Sequence, residues 1–248
     1  MTQHLTIITG ASRGLGLALT EQRLARGDRV LALARRPTEA QAPAGSELLS
    51  WEVDLADAAP VAERLARWLA AQDAASLTSV TLINNAGVVS KLAPLSAGSG
   101  PDLAHALRVG IEAPLLLSAA FLRVTAAWPM PRKLLLISSG LGRRAMAGAA
   151  SYCSAKAGMD HLARAVALEE AALPNGARVV SLAPGVIDTD MQVQLRASDP
   201  ALFPQREHFI SFKTDGYLDS PAQAAAKVLA YLDRADFGVN PVADVRDA

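Results

Sequence analysis

The sequence has one cysteine, Cys153, so no disulfide can close within the chain, as suits a reducing compartment such as the cytoplasm. Aromatic residues are scarce too: three Trp, three Tyr and five Phe among 248 residues. Neither sign of charge predominates. Lys+Arg and Asp+Glu both number 24, so no basic surplus points to nucleic acid or an anionic membrane surface. No apolar run approaches the roughly 20 residues of a membrane-crossing helix. The opening Met1-Thr2-Gln3-His4-Leu5 lacks the basic and apolar regions of a signal peptide. The four histidines, His4, His105, His161 and His208, show no metal-ligand spacing and no clustered Cys or acidic partners. No metal site is expected, and the histidines read as surface or packing residues.

What is abundant is Ala, Leu and Val, in a chain that is 51% hydrophobic and long enough to bury a sizeable core. A single domain over 1–248 is expected. Leu5 to Ile8 is a short β-branched apolar run, readable as a buried strand. It leads into Thr9-Gly10-Ala11-Ser12-Arg13-Gly14-Leu15-Gly16, and helical periodicity follows until Gly27, a C-cap. Val30 to Ala34 is a second strand, which completes a βαβ unit. Glycines let a backbone approach a phosphate, and a helix N-terminus offers free N–H groups, so the turn is a candidate dinucleotide pyrophosphate site. The spacing is Gly-x-x-x-Gly-x-Gly rather than the commoner Gly-x-Gly-x-x-Gly.

At the end of the second strand, an acidic residue would hold the ribose 2′-hydroxyl of NAD. Arg35-Arg36 stands there instead, with Arg13 in the glycine turn. Arginine pairs with a 2′-phosphate, so NADP(H) is favoured over NAD(H). A third strand, Leu48 to Val53, ends at Asp54-Leu55, where Asp54 could bind an adenine amino group or cap the helix expected from Pro60 to Ala71. A fourth, Val80 to Ile83, ends at Asn84-Asn85-Ala86-Gly87. A long helix from Pro101 to Ala127 should kink or restart at Pro114. Lys133 to Ile137, a helix over Ala150–Ala172, Arg178 to Leu182 and then Ala183-Pro184-Gly185-Val186-Ile187-Asp188-Thr189 follow. Asp190 to Asp219 is the least regular stretch. It holds three of the five Phe, as a lid over an apolar substrate or as anchors to the core. Ser220-Pro221-Ala222-Gln223 is a capping box that opens a helix to Leu232. Gly238 to Val245 reads as a final strand. The alternation predicts an α/β fold: one Rossmann-type, doubly wound parallel sheet with helices on both faces. The motifs all lie just after strands, on the sheet edge where such folds bind ligands.

Ser138 to Lys156 carries the proton chemistry: the Ser139 hydroxyl, the Tyr152 phenol and the Lys156 ammonium. Tyr152 and Lys156 are four apart, on one helix face, where a cation would lower the phenol pKa. Thr9-Gly10-x-x-x-Gly14-x-Gly16, Asn84-Asn85-Ala86-Gly87, Ser139, Tyr152-x-x-x-Lys156 and Pro184-Gly185-x-x-x-Thr189 together resemble the short-chain dehydrogenase/reductase family, over nearly the whole chain. Within it, Tyr152-Cys153, Lys156-Ala157-Gly158 and the stretch Ala183 to Gln192 are similar to bacterial benzil reductases, and through them to sepiapterin reductase.

The resemblance implies an NADPH-dependent reductase of a small, aromatic ketone or 1,2-diketone. It implies that Tyr152 protonates the carbonyl oxygen, Ser139 hydrogen-bonds it, and Lys156 tunes Tyr152 and holds the nicotinamide ribose. It also implies cofactor contacts on Gly10, Ser12, Arg13, Gly14, Leu15, Gly16, Arg35, Arg36, Asp54, Leu55, Asn84, Ala86, Gly87, Tyr152, Lys156, Pro184, Gly185, Ile187 and Thr189. Family members self-associate through two long helices, so a homodimer or tetramer is expected. One departure stands out: Gly110 occupies the position of an Asn that supports a proton relay to the lysine. A working but slowed relay is expected. A β-ketoacyl or sugar alcohol reductase, or a non-catalytic NADP(H)-sensing protein on the same fold, are the alternatives.

Overall fold

The computed structural model describes residues 3–247. Met1, Thr2 and Ala248, on which the leader reading and the outer bounds of the expected domain partly rest, lie outside them. Seven parallel strands form one sheet: β1 (Gln3–Thr9), β2 (Arg29–Ala34), β3 (Glu47–Glu52), β4 (Leu77–Asn84), β5 (Arg132–Ile137), β6 (Arg178–Ala183) and β7 (Val242–Asp244). Their order is β3-β2-β1-β4-β5-β6-β7. The chain builds outward from β1 to β3, then crosses back to lay β4 on the other side of β1. That reversal opens a crevice at the C-terminal ends of β1 and β4. Ile8 of β1 stands beside Ile83 of β4, so the turns at Gly10 and Asn85 emerge side by side.

Side chains alternate across each strand. Leu134 and Leu136 of β5 enter one core; Leu135 and Ile137 enter the other. The first core packs against α2 (Ala58–Ala70), α4 (Ala113–Thr125) and α5 (Ala150–Ala171). The second packs against α1 (Gly14–Ala25) and α8 (Pro221–Leu232). Because both faces are covered, the central strands are buried on both sides and mostly apolar rather than alternating, with Thr6, Thr81 and Ser181 among the buried polar exceptions. The capping box forms: Gln223 N–H donates to Ser220 Oγ at 3.2 Å, and Ser220 N–H donates to Gln223 Oε1 at 2.9 Å.

Three segments differ from the sequence reading. The helix expected over 101–127 is α3 (Gly100–Leu107), a π-turn at Arg108–Glu112 and then α4. The break precedes Pro114 because proline has no N–H to give to the Gly110 carbonyl, and Ala113 N–H reaches back five residues to Arg108 instead. The irregular stretch 190–219 contains α6 (Asp190–Arg196) and α7 (Arg206–Thr214). The last strand is only Val242–Asp244, since Gly238 has φ +95° and belongs to the turn before it.

Candidate active site

The first turn of α1 starts directly from the glycine loop, and no side chain caps it. Its leading N–H groups are free for an anion, and its first turn holds no acidic residue. Gly10 and Gly14 have φ of +67° and +53°, a region where only glycine is relaxed. A Cβ on Gly10 would come within 3.0 Å of the Ala86 backbone, and one on Gly16 within 2.1 Å of the Gly10 carbonyl oxygen. The turn is therefore pressed against the end of β4. Thr9 Oγ1 accepts hydrogen bonds from the N–H groups of Asn85 (2.9 Å) and Ala86 (3.0 Å), and Asn85 Nδ2 donates to the Thr9 carbonyl. These bonds lock the two turns into one floor.

That floor opens into a cleft of about 1160 Å³. Gly10, Ser12, Arg13, Gly14, Leu15, Gly16, Arg35, Arg36, Asp54, Leu55, Ala86, Gly87, Ser139, Tyr152, Lys156, Pro184, Gly185, Ile187 and Thr189 all border it. Asn84 does not. Its side chain is buried and turns to α4, where Nδ2 donates to Ser118 Oγ at 3.1 Å. As the last residue of β4, Asn84 obeys the strand's alternation, and Asn85 takes the cleft-side place. Asp54 does not cap α2; its Oδ1 accepts from Ala56 N–H at 2.9 Å and closes the turn after β3. Arg13 is engaged at one end by Asp190, 2.6 Å away, which ties the glycine turn to α6.

At the other end of the cleft, Ser139 Oγ accepts from Leu141 N–H at 3.2 Å, and its hydroxyl is within hydrogen-bond reach of the Tyr152 phenol. Tyr152 is half-buried on α5. Burial pushes its phenol up to about 12; the neighbouring Ser139 hydroxyl pulls it down and Cys153 pushes it up. The expected lowering by Lys156 is not what this arrangement produces. Lys156 Nζ lies 5.5 Å from the Tyr152 ring centre and is committed to the Ile137 carbonyl at 2.6 Å. Lys156 itself is buried, and desolvation draws it down to about 8 against the Asp160 carboxylate, which raises it. It is a cation at neutral pH, but a labile one. Asp160 is buried one turn further along α5, where its Oδ1 accepts from Ser138 Oγ (2.6 Å) and Ser181 Oγ (2.7 Å). This carboxylate holds together the ends of β5 and β6 and the helix that carries Tyr152.

Gly110 sits in the π-turn against α5. A Cβ there would lie 2.8 Å from the Ala155 Cβ, next to Lys156. The glycine thus lets the π-turn approach the helix that carries Tyr152 and Lys156 closely. Sequence reasoning passed over several cleft residues: Leu92, His105, Arg144, Met146, Met191 and His208. His105 and His208, expected as surface or packing residues, stand in the wall, where His208 is exposed. Nothing in their local sequence marks them; α3 and α7 carry them there. The three Phe divide the two roles expected of them. Phe203 is fully buried as an anchor, stacked on Phe209 with centroids 5.7 Å apart, while Phe209 and Phe212 face the cleft.

A family model described as short chain dehydrogenase matches residues 4–200. A benzil reductase ((S)-benzoin forming) of Bacillus cereus is 30% identical over 93% of this chain and 94% of its own length. That of Bacillus subtilis (strain 168) is 32% identical over 93% and 94%. Sepiapterin reductase of Meriones unguiculatus is 29% identical over 93% and 92%. Among solved structures, a short-chain dehydrogenase/reductase from Burkholderia vietnamiensis superposes with a TM-score of 0.64 at 33% identity, over 99% of this chain and 100% of the other. One described as a putative NAD(P) dependent gluconate 5-dehydrogenase from Beutenbergia cavernae, with bound NADP, reaches 0.81 at 25% identity, over 99% and 96%.

Proposed function

This chain belongs to the short-chain dehydrogenase/reductase family of nicotinamide-dependent oxidoreductases, and on that premise we propose that it is an NADPH-dependent carbonyl reductase. One observation carries the reading: Ser139, Tyr152 and Lys156 share a single cleft with an uncapped helix N-terminus and a glycine floor. The residues fit a dinucleotide. Gly10 to Gly16 and the N–H groups of α1 suit its pyrophosphate. Asp54 and Leu55 suit the adenine, Ala86 and Gly87 the middle of the molecule, and Pro184, Gly185, Ile187 and Thr189 the nicotinamide. Arg35 and Arg36 are exposed and have no acidic partner among the described residues, so they are available to a 2′-phosphate. The cofactor, when bound, supplies the hydride.

The chain's own groups manage the oxygen. Ser139 turns its hydroxyl proton to the substrate carbonyl and polarises it. Tyr152 keeps its proton far above neutral pH and can hand it to the developing alkoxide. Lys156, cationic below about 8 and close to the Tyr152 ring, supplies the replacement proton. Phe209, Phe212, Leu92, Met146 and Met191 offer an apolar wall, which suits an aromatic ketone or 1,2-diketone such as those named by the benzil reductases. No helix among the described residues is long and apolar enough to cross a membrane. Our reading places the protein in the cytoplasm, as one domain that self-associates through α4 and α5, where Leu115 and Leu168 are exposed. The test is a carbonyl panel followed at the NADPH absorbance band and repeated with NADH. Turnover of a 1,2-diketone with NADPH is expected. Inertness towards every dicarbonyl would overturn the reductase reading, and equal rates with NADH would overturn the role of Arg35 and Arg36.

A further inference from the structure

Among the described residues, six arginine and lysine side chains border the cleft: Arg13, Arg35, Arg36, Arg144, Lys156 and Arg246. Three are already committed. Arg13 pairs with Asp190, Arg246 with Asp244 at 2.6 Å, and Lys156 donates to the Ile137 carbonyl. The acidic residues of the cleft give the others no partner. Asp188 is taken by Lys213 and Arg196, Asp190 by Arg13, and Asp54 lies at the far end, after β3. Arg35, Arg36 and Arg144 are left without an ion pair or side-chain hydrogen bond among the described residues. The adjacent Arg143 is different: it donates to the Ala243 carbonyl at 3.2 Å and lies 3.9 Å from Asp244.

The free cations form two groups that one anion cannot bridge. Arg35 and Arg36 follow β2, and Arg144 follows β5. In the sheet order these strands are three steps apart, roughly 14 Å at the usual strand spacing. The first group faces the 2′-phosphate end. The second lies over the residue next to Ser139, since a Cβ on Gly140 would be 3.3 Å from Arg144 Nη2. A charge there meets the substrate. We propose that Arg144 is the subsite for a carboxylate on the substrate, which is then an oxo acid with an apolar body rather than a neutral diketone. The planar guanidinium matches a carboxylate edge, and Met146 and Phe212 receive the apolar part. The inference rests on the carbonyl-reductase reading for where the reacting carbonyl lies.

Benzil and 4-carboxybenzil differ by one carboxylate and serve as the probe pair, with NADPH as cofactor. The parent is expected to favour the carboxylated form roughly tenfold in kcat/KM, through KM and less so as salt rises. Arg144→Met is expected to erase that ratio, and Arg144→Lys to retain part of it. A ratio that is the same in parent and Arg144→Met would overturn the subsite while leaving the reductase reading intact. A second arm needs no turnover: benzoate is titrated calorimetrically into the NADP-loaded protein. Binding roughly tenfold weaker in Arg144→Met supports the subsite even if both diketones prove inert, in which case only the reductase reading falls. Equal affinities for benzoate would refute the subsite.

Discussion

Replacing Gly110 with Asn would install the side chain that the resemblance to the family leads one to expect at this point, and the geometry argues that it would do harm. The new Cβ would stand 2.8 Å from the Ala155 Cβ, where carbon atoms rest at about 3.5–4.0 Å. Ala155 is buried and so is Gly110, so neither backbone can swing into solvent. The π-turn and α5 must separate by roughly an ångström. Overpacking of this kind costs about 1–3 kcal/mol. For a chain of this size that is a fall in Tm of roughly 2–12 °C. The displaced helix carries Lys156 one residue on and Tyr152 one turn back, so kcat should fall with stability. Thermal unfolding and steady-state reduction would be measured for Gly110→Ala, Gly110→Asn and Gly110→Asn with Ala155→Gly. The first two should lose Tm by similar amounts. The double variant should recover most of it, less the ~1 kcal/mol that a helical glycine costs. If Gly110→Asn unfolded at the parent's temperature and turned over faster, the clash argument would be wrong and the glycine would be a plain deficiency of the relay.

Lys156 sets an alkaline limb. It is protonated below about 8 and neutral above, so reduction should decline as pH rises through that value, while Tyr152 remains protonated throughout. Asp160→Asn keeps an acceptor for Ser138 and Ser181 but removes the charge that raises Lys156, so the pH–rate profile should show the limb at lower pH; an unmoved limb would refute the coupling. Lys156 also has a stability signature. Its folded pKa is depressed, so the folded state is penalised below about 8 and gains stability as pH rises towards the unfolded value near 10.4, which urea titrations at pH 7 and 9 would register. Gly16→Ala should abolish measurable NADPH binding by fluorescence titration and lower Tm, because its Cβ would meet the Gly10 carbonyl oxygen at 2.1 Å and Asn85 Nδ2 at 2.6 Å. Exchanging both Arg35 and Arg36 for Ser should raise KM for NADPH roughly tenfold and leave KM for NADH nearly constant.

The fold was legible because its signals are local. Continuous apolar runs marked the central strands, Ser220 and Gln223 marked the start of α8, and Gly27 marked the end of α1. The edge and the lid were less so. β7 is three residues long and pairs only with β6, and α6 and α7 are short helices held by Phe203 and Phe209 against Leu92 and Leu195 rather than by their own periodicity. Pro114 foretold a break but not a π-turn, since the form of the break depends on what lies against it.

The sequence by itself determined the order of the elements, the glycine floor, the placing of Ser139 after its strand and that of Tyr152 and Lys156 on one helix, because backbone preference and spacing act over a few residues. Only the tertiary structure decided the rest. It turned Asn84 away and put Asn85 in its place, engaged Arg13 with Asp190 and left Arg144 free. It brought His105 and His208 to the cleft, and it set the Tyr152 phenol high rather than low. Each of these depends on burial and on partners distant along the chain, and desolvation and ion pairing are properties of the space around a group rather than of its neighbours in sequence.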